Sequence, residues 1–248
     1  MITIKTPEQI AKMKESGRLT RNVLDLMGKS VRAGMTTKEL DGIAYEYIKS
    51  CGAKPSFLGY GGYPASTCIS VNDMVVHGIP SEDVIICEGD IVSVDVGVIY
   101  NGWQGDAART FMIGKVSEEK KKLVKVTEEC FFKAIERLKD GTPLGDIGYS
   151  VQTHAEANGF SVVRALVGHG IGREMHEDPA VPNYGKKGTG IRLKAGMVIA
   201  IEPMINAGDY KVDFMGDGWG VRTHDGKPSA HYENTVAITQ TGVEILTL

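Results

Sequence analysis

Hydrophobic and polar residues alternate most regularly between Ile91 and Tyr100, where every even position before Tyr100 is valine. This two-residue period predicts a β-strand. The dipeptide Asn101-Gly102 follows directly and is typical of a type I′ hairpin turn, so a return strand is expected from about Gly105 to Ile113. The pattern therefore predicts a long antiparallel hairpin near the middle of the chain.

Helix-start signals precede two other segments. Thr6-Pro7-Glu8-Gln9 offers a capping threonine, a proline at the first helical position and a glutamine that completes a capping box, so a helix is expected to about Met27. Thr36-Thr37-Lys38-Glu39 predicts a second helix that stops near Gly52. Further helices are predicted at about Ser117–Lys139 and Pro143–Asn158, and strands at about Cys68–Val71, Met197–Ile205, Gly220–Thr223, Tyr232–Thr239 and Val243–Thr247. This mixture indicates an α/β (α+β) fold.

A repeat in the hydrophobic pattern relates the two parts of the chain. Glu88–Asp95 and Ala195–Glu202 each contain a glycine, a hydrophobic strand and a terminal carboxylate, and they are offset by 107 residues (202 − 95). Chance similarity between common α/β patterns is the alternative, but the recurring order favours a duplication. We therefore expect a single domain with two pseudo-twofold halves, roughly 1–115 and 116–248, whose corresponding carboxylates face each other at the centre.

Composition narrows the function classes. The 248 residues suffice for one large domain or for two small halves with a shared core. The net charge is −3 and no long basic run occurs, which argues against a surface for nucleic acid or anionic membranes. The apolar runs are strand-sized and the first residues lack a signal-peptide core, so a cytoplasmic protein is expected. The four cysteines show no CxxC spacing, which predicts free thiols.

The predicted hairpin brings two aspartates together. With a two-residue turn at Asn101-Gly102, Asp95 lies opposite Ala108 and Asp106 opposite Gly97, so both carboxylates project from one face as diagonal neighbours. Two buried carboxylates repel each other and resist ionisation unless a cation lies between them. A solvent-facing hairpin with incidental acids is the alternative, and the valine-rich strand argues against it. The hairpin therefore predicts a metal site.

Three further residues extend this candidate ligand set. Glu202 ends an apolar run, Glu233 stands at the entry to another apolar strand, and His169 lies between the glycines of Gly168–Gly172. The alternative for Glu202 is a strand end that emerges into solvent, and a lone histidine is more often structural than a ligand. Four carboxylates and one histidine suit divalent Mn, Fe, Co or Zn, and they exceed the needs of one ion. They predict two ions that share bridging carboxylates, a recurring device of hydrolases.

With these residues in place, the chain resembles a type I methionine aminopeptidase of the short bacterial form over nearly its whole length. The stretches that carry the resemblance occur in the family's order: Gly59–Asn72, Val76–Pro80, Asp95–Asp106, Gly168–Gly172, Met175–Pro179, Ala200–Met204 and Ser229–Glu233. The resemblance implies the pita-bread fold, with pseudo-twofold halves, a central antiparallel sheet and helices outside. It also implies hydrolytic removal of the N-terminal methionine from nascent proteins and peptides whose second residue is small.

The resemblance assigns a role to each candidate ligand. It implies that Asp95 binds one ion, that Asp106 and Glu233 bridge two ions, and that His169 and Glu202 complete the other site. Glu202 would in addition be the general base. The two ions would be Co, Mn, Fe or Zn.

The resemblance also implies substrate contacts around the ions. His77 would position the substrate beside the scissile bond, and His176 would donate to the scissile carbonyl oxygen; loop histidines of no consequence are the alternative. The methionine side chain would lie in a pocket whose aromatic and sulfur lining suits a thioether. The pocket residues implied are Tyr60, Tyr63, Cys68, Met204 and Trp219. By local pattern alone these would be ordinary core residues.

Four positions depart from the family's usual pattern. Phe57 stands where a pocket cysteine is common, and Met175 where an aromatic residue is common. His231 and Asn234 flank Glu233 where glutamine and histidine are usual. None of these departures removes a proposed ligand, but the first two bear on side-chain preference.

Other functions remain as alternatives. An Xaa-Pro dipeptidase or aminopeptidase P would share the five-ligand plan, but an additional N-terminal domain is expected there, and only about 60 residues precede the tyrosine-rich loop. A non-catalytic binding module of this fold would be expected to lose ligands. A mononuclear iron oxygenase is disfavoured because acids outnumber histidines. Gly185–Gly190 misses the phosphate-loop spacing and is interpreted as a surface turn.

The expected partners follow from the resemblance and the composition. They are peptides and nascent polypeptides with an N-terminal methionine, with neither nucleic acid nor a membrane. The family's role implies transient contact with the ribosome only loosely. A closed pseudo-symmetric core makes a monomer the default expectation.

Overall fold

Of the four α-helices in the described part of the chain, three begin behind a side chain that caps the first turn. The computed structural model describes residues 2–248, and its helices are α1 (Pro7–Ser30), α2 (Thr37–Ser50), α3 (Glu118–Ile135) and α4 (Gly145–Ala157). The predicted capping box at Thr6 is present, since its hydroxyl accepts from the Gln9 amide and its amide donates to the Gln9 side chain. Thr36 and Glu39 form the same arrangement before α2. Reciprocal caps of this kind satisfy backbone amides that a helix start leaves unpaired.

Within residues 2–248, fifteen strands form one large sheet and two small ones. The strands are β1 (Lys54–Pro55), β2 (Thr67–Val71), β3 (Met74–Val76), β4 (Ile91–Tyr100), β5 (Trp103–Met112), β6 (Ser161–Val162), β7 (Gly168–Gly170), β8 (Glu177–Val181), β9 (Val198–Ile201), β10 (Met204–Asn206), β11 (Val212–Phe214), β12 (Val221–Thr223), β13 (Ser229–His231), β14 (Glu233–Ile238) and β15 (Val243–Ile245). The large sheet has the order β1-β4-β5-β14-β9-β7-β8, with β2 also on β4 and β15 on β14. Its pairings among residues 2–248 are antiparallel. The small sheets are β13-β10-β6 and β11-β12-β3.

The central hairpin has the predicted register. Tyr100 pairs with Trp103, and the ladder continues to Ile91 opposite Met112. The turn residues Asn101 and Gly102 have φ values of 50° and 76°. Positive φ at both central positions is what a type I′ turn requires. The two-residue turn therefore fixes which hairpin side chains share a face.

Several predicted elements have different bounds in the structure, and backbone pairing explains two of them. The strand expected over Met197–Ile205 is two strands, β9 and β10, because Glu202 and Pro203 interrupt the ladder and proline has no amide to donate. Helix α3 ends at Ile135 instead of Lys139. Beyond it, the amides of Asp140 and Gly141 donate to the carbonyls of Thr239 and Leu193 instead of continuing the helix.

Helices cover the sheet in two groups. Residues of α1 and α2, such as Val23 and Leu40, share one apolar cluster with the β4 valines. Residues of α3 and α4, such as Phe131 and Ile147, share another with β9 and β14. This central antiparallel sheet with outer helices confirms the predicted α/β architecture. The division into duplicated halves near residue 115 stays a prediction.

Three smaller expectations have clear outcomes. The four cysteines are free, as predicted. Gly185–Gly190 lies outside helices and strands and is exposed, in agreement with a surface turn. Among residues 2–248, the structure contains no helix with the length and apolar character needed to cross a membrane.

Close approach of α1 to the chain around Leu246 yields a first prediction. A Cβ atom built at Gly17 would lie 2.1 Å from the Leu246 carbonyl oxygen, whereas one at Gly42 in α2 would meet nothing within 4 Å. Both glycines are inside helices, so alanine gains helix propensity at both. Gly17→Ala should nevertheless lower the free energy of unfolding by about 1–3 kcal/mol, because backbone must shift.

Gly42→Ala is the matched control and should raise the free energy of unfolding by about 0.5–1 kcal/mol. Urea unfolding of the two variants beside the unsubstituted protein measures both effects. Equal stabilisation by the two alanines would show that α1 does not pack as closely as described.

Candidate metal centre

Three carboxylates project from one face of the hairpin and the strand beside it. Asp95 on β4 pairs with Ala108 on β5, and Ala108 pairs with Glu233 on β14, so these residues form one row across three strands. Directly paired residues share a face, and so do residues two apart on one strand. Asp106, opposite Gly97 and two residues from Ala108, therefore joins the same face. The diagonal arrangement expected for Asp95 and Asp106 is present.

The next two strands add the fourth carboxylate and a histidine to this face. Thr235 on β14, two residues after Glu233, pairs with Ala200 on β9, which places Glu202 on the face that Glu233 occupies. On β7, Gly170 pairs with Ile199, so the neighbouring His169 shares the face of Ala200. Five adjacent strands in the order β4-β5-β14-β9-β7 thus contribute one candidate ligand each, with Glu202 just beyond the end of β9.

The candidate ligand atoms converge without pairing fully with one another. Nε2 of His169 lies 3.7 Å from Oδ2 of Asp106 and 3.7 Å from Oε1 of Glu202. Asp106, His169 and Glu233 each offer one ligand atom, and these atoms lie within 4.8 Å of one another. Within the described chain, three buried carboxylate oxygens lack a hydrogen-bond partner: Asp95 Oδ1, Asp106 Oδ1 and Glu233 Oε1. Buried oxygens left unpaired are costly, and a divalent cation would satisfy them.

Burial and mutual repulsion disfavour the charged forms of these acids. Burial, followed by the charge of Asp106, raises the pKa of Asp95 well above its ordinary value. The same two causes raise the pKa of Glu233. Burial raises the pKa of Glu202 to about 8, although His169 acts in the opposite direction. Bound cations would reverse this balance, because an opposite charge nearby favours the ionised carboxylate.

His169 is oriented to offer its Nε2 atom. Its Nδ1 atom donates to the carbonyl of Gly170 over 2.9 Å, which directs Nε2 towards Asp106 and Glu202. Burial opposes a charge on this imidazole, but the two carboxylates outweigh burial and raise its pKa to about 9. A proton on Nε2 thus occupies the place that a cation would take. A backbone carbonyl that holds the second ring nitrogen is the usual partner of a metal-ligating histidine, so the residues present fit divalent ions.

One cavity of about 180 Å³ adjoins the cluster, and all twelve site residues expected from the sequence line it. These are His77, His176, Glu202, Asp95, Asp106, His169, Glu233, Tyr60, Tyr63, Cys68, Met204 and Trp219. Four lining residues were not among them: Phe57, Val76, Leu166 and Val167. Val76 belongs to the short strand β3, and Leu166 and Val167 precede β7, where no hydrophobic period signals a cavity wall.

Aromatic rings and sulfur atoms form the apolar side of this cavity. Tyr63 and Trp219 meet edge to face, with ring centroids 5.1 Å apart. The Tyr63 hydroxyl donates to the carbonyls of Thr67 and Gly78, each over 3.1 Å, which fixes the ring. Burial raises the pKa of the Cys68 thiol well above its ordinary value, so this sulfur stays neutral. The result is an apolar recess beside the carboxylates.

Two histidines stand where the recess meets the carboxylates. The ring of His176 lies 4.2 Å from that of His169 between centroids, and its Nδ1 atom is 2.7 Å from the Tyr60 hydroxyl. Burial, with the charge of His169 as a second cause, lowers the pKa of His176 to about 4. His77 has a φ of 59°, a conformation rarely adopted by residues with a side chain. Burial lowers the pKa of His77 as well.

The departures from the family pattern occupy different places. Phe57 lines the cavity, whereas Met175 lies behind it in a cluster with Met13 and Trp103. A Cβ atom at Gly97 would meet Phe57 and Met175 at 2.8 Å, so both pack against this part of β4. Phe57 is therefore the departure that contacts the recess directly.

Sequence comparison agrees with this geometry. Residues 11–240 match the model for metallopeptidase family M24. The chain belongs to metallopeptidase family M24. A methionine aminopeptidase from Clostridium acetobutylicum is 54% identical over 248 residues, which cover 100% of this chain and 99% of that protein. The predicted resemblance and enzyme class, a metal-dependent hydrolase of the aminopeptidase type, are thereby confirmed.

Solved structures confirm the M24 pita-bread fold. A methionine aminopeptidase from Thermotoga maritima superposes with a TM-score of 0.98 at 48% identity, covering 100% of this chain and 99% of that one. A prolidase from Pyrococcus furiosus superposes with a TM-score of 0.76 at 24% identity, covering 99% of this chain but 65% of that one. The second likeness shows a shared fold alone.

The crowded carboxylates yield a second prediction. In metal-free protein at pH 8, Asp95→Asn should raise the free energy of unfolding, because the amide needs neither a proton nor a cation when buried. This gain in stability should grow as the pH rises above 3.8, the ordinary pKa of an aspartate side chain. The reason is that the pKa of Asp95 is raised in the folded protein, so the unfolded chain loses the Asp95 proton at a lower pH than the folded one. Thermal unfolding with a chelator measures the difference.

With metal bound, the unsubstituted protein should instead be more stable than Asp95→Asn. An ion at a hundredfold above its dissociation constant stabilises the folded protein by about 2.7 kcal/mol, and Asp95→Asn should lose much of that gain. Asp25→Asn, at a position 56% exposed beside Arg21, is the control that should change neither state appreciably. A metal-induced gain undiminished in the Asp95 variant would contradict a ligand role for this residue.

Proposed function

We propose that the protein removes the N-terminal methionine by hydrolysis from nascent proteins and peptides whose second residue is small, and that it uses two divalent ions. The observation that carries this proposal is the joint presence, in one cavity, of five convergent metal-ligand candidates and an aromatic and sulfur-lined recess. The M24 membership and the names of the relatives support the same reading. The substrate and the number of ions are the finer parts of the proposal.

Five side chains would hold the ions. Asp95 would bind one ion, His169 and Glu202 the other, with Asp106 and Glu233 shared between them. When bound, the ions would polarise the scissile carbonyl and make water a nucleophile near neutral pH. Co, Mn, Fe and Zn all suit this oxygen-rich set with imidazole nitrogen.

Glu202 is the proposed general base. Its carboxylate is partly open to the cavity, with 14% of the side chain exposed, whereas that of Asp106 is 5% exposed. It would accept a proton from the attacking water and return that proton to the amino group that leaves. A raised pKa favours such a group, because a base works best when its pKa is near the working pH.

His176 is the proposed donor to the carbonyl oxygen. If the Tyr60 hydroxyl donates to Nδ1 of His176, the neutral ring carries its proton on Nε2 and can donate it to the oxygen that gains charge. The lowered pKa keeps the ring neutral at pH 7. His77, which lines the same cavity, would hold the substrate beside the scissile bond.

The recess of Tyr63, Cys68, Met204 and Trp219 would take the methionine side chain. Aromatic edges and thioether or thiol sulfur atoms make favourable contacts with a flexible thioether. The recess is apolar, so it suits an uncharged side chain. The adjoining carboxylate cluster is acidic, so it suits a positively charged amino terminus. Substrate residues beyond the methionine would lie outside the recess.

The setting of this activity is also a proposal. The expected substrates are N-terminal segments that emerge from the ribosome, which places the protein in the cytoplasm with at most transient ribosome contact. Neither nucleic acid nor a membrane surface is part of the proposal, and the protein would act as a monomer.

A peptide assay provides the third prediction. Protein reconstituted with Mn, Fe or Co should release methionine from Met-Ala-Ser and leave Ala-Pro-Ala intact, because the recess accepts a thioether and nothing in it selects proline. Chromatography of the products with time gives kcat/KM for each peptide. Cleavage of the proline peptide alone would favour a proline-specific enzyme, and cleavage of neither by protein shown to hold metal would favour a binding module.

Asp106→Ala tests the shared-ligand assignment in the same assay. Loss of a ligand common to two ions should reduce kcat/KM by about 100-fold or more and reduce metal uptake, since even partners outside the ligand set cost roughly 10–100-fold. Asp25→Ala is the surface control. An active Asp106→Ala variant with full metal content would contradict the assignment of Asp106 as a ligand shared by two ions.

A further inference from the structure

His231 is held rigidly at the edge of the metal centre. It is the last residue of β13, and its side chain is 2% exposed. Its amide donates to the Thr110 hydroxyl over 3.0 Å, and the same hydroxyl donates to its carbonyl over 2.8 Å. The hydroxyl oxygen of Ser93 lies 2.8 Å from that of Thr110. The backbone of His231 is thus fastened to the β4–β5 hairpin that carries Asp95 and Asp106.

The imidazole of His231 points at carboxylates without bonding to them. Its Nε2 atom is buried and has no hydrogen-bond partner in residues 2–248. That atom lies 3.8 Å from Oε2 of Glu233, which is too far for a hydrogen bond. His231, Asp95 and Glu233 each offer one ligand atom, and these atoms lie within 4.8 Å of one another. A buried nitrogen, the buried Glu233 carboxylate and the half-buried Asp95 carboxylate, with no hydrogen bond between the imidazole and either acid, leave a place for a cation.

The structure therefore contains two triads of the same chemistry. Asp106, His169 and Glu233 form one, and Asp95, His231 and Glu233 form the other. Each triad has one imidazole nitrogen and two carboxylates, and Glu233 belongs to both. With only the five ligands that the resemblance implies, the ion at Asp95 would have carboxylate oxygens as its only protein ligand atoms. The second triad adds an imidazole nitrogen to the ligands of that ion.

We infer that His231 is a metal ligand, binding through Nε2 the ion that Asp95 and Glu233 hold, so that each of the two ions receives one imidazole. This inference rests on the proposed two-ion centre and deepens it. A histidine that served packing alone would be expected to donate to a carbonyl or hydroxyl, since a buried polar atom left unpaired is costly. The inference explains why this nitrogen faces two acids instead.

An imidazole ligand changes which ions the Asp95 site prefers. Nitrogen favours Zn and Co over Mn more strongly than carboxylate oxygen does. The glutamine usual at this position offers an amide oxygen or an amide N–H instead. We therefore expect the unsubstituted protein to bind Zn or Co at the Asp95 site more tightly than the His231→Gln variant does. The difference in affinity should be smaller for Mn.

The fifth prediction concerns the number of imidazoles bound per ion. X-ray absorption of wild-type protein that holds two Zn ions should show about one imidazole per ion, and His231→Gln should reduce this to about 0.5. Calorimetric titration of the same variant should show one site intact and the other weakened by roughly 10–100-fold for Zn. His224→Gln, at an exposed histidine beside Asp213, is the matched control and should change neither result.

Wild-type protein provides a test that does not depend on the folding of a variant. With ¹⁵N-labelled histidine and bound ¹¹³Cd, two of the six histidines should show direct nitrogen–cadmium coupling. Coupling at His169 alone, with 0.5 imidazole per Zn in wild-type and variant alike, would overturn the inference and leave the two-ion proposal standing. Uptake of a single ion per wild-type chain would instead overturn the two-ion centre, and this inference with it.

Discussion

Repulsion among carboxylates that share one buried face is the constraint on which this structure depends. Asp95, Asp106, Glu202 and Glu233 lie on five neighbouring strands together with His169, and burial deprives them of the water that would stabilise their charges. Without cations, such a group is stable only if protons are retained, as the raised pKa values of three of these acids show. The same electrostatic cost makes the face a strong site for divalent ions.

The fold tolerates this cost because the surrounding backbone is held from several directions. The guanidinium of Arg109 donates to the carbonyl of Glu233 over 2.6 Å and to the side chain of Asn234 over 2.8 Å, and it lies 4.2 Å from the centre of the Tyr232 ring. It joins β5 to β14 at the step between Asp106 and Glu233. Thr235 adds a second link, since its hydroxyl accepts from the Asp106 amide and donates to its carbonyl. The acids are thus positioned by bonds that do not involve their own carboxylates.

Local patterns predicted the parts of this site that local geometry determines. Two-residue alternation and Asn101-Gly102 were enough to place Asp95 beside Asp106, because a tight turn fixes register. Glu202 was recognised as a strand terminus, but the break at Pro203 was not, since the sheet that β10 joins is formed by distant segments. Short strands such as β7 and β8 lack a detectable period.

Other parts of the site depend on tertiary contacts that no local pattern records. His231 was noted only as a departure from a family pattern. Its proximity to Asp95 arises through the pairing of β14 with β5 and through the hydrogen bonds between His231 and Thr110, which join segments far apart in sequence. The wall residues Leu166 and Val167 were missed for the same reason. The methionine recess and the ligand roles of His169 and Glu233 came from family resemblance, and their proposed roles stay predictions.

The placement of one ligand on each of five strands has a kinetic consequence. Asp95 and Glu233 are separated by 138 residues (233 − 95) yet lie in a single row of the sheet. Contacts so distant in sequence form late, after most of the entropy of loop closure has been lost. A partly folded chain therefore holds only some of these ligands, and the full set forms only when all five strands are paired. Metal binding should consequently occur only after the whole sheet has formed, and bound metal should slow global unfolding.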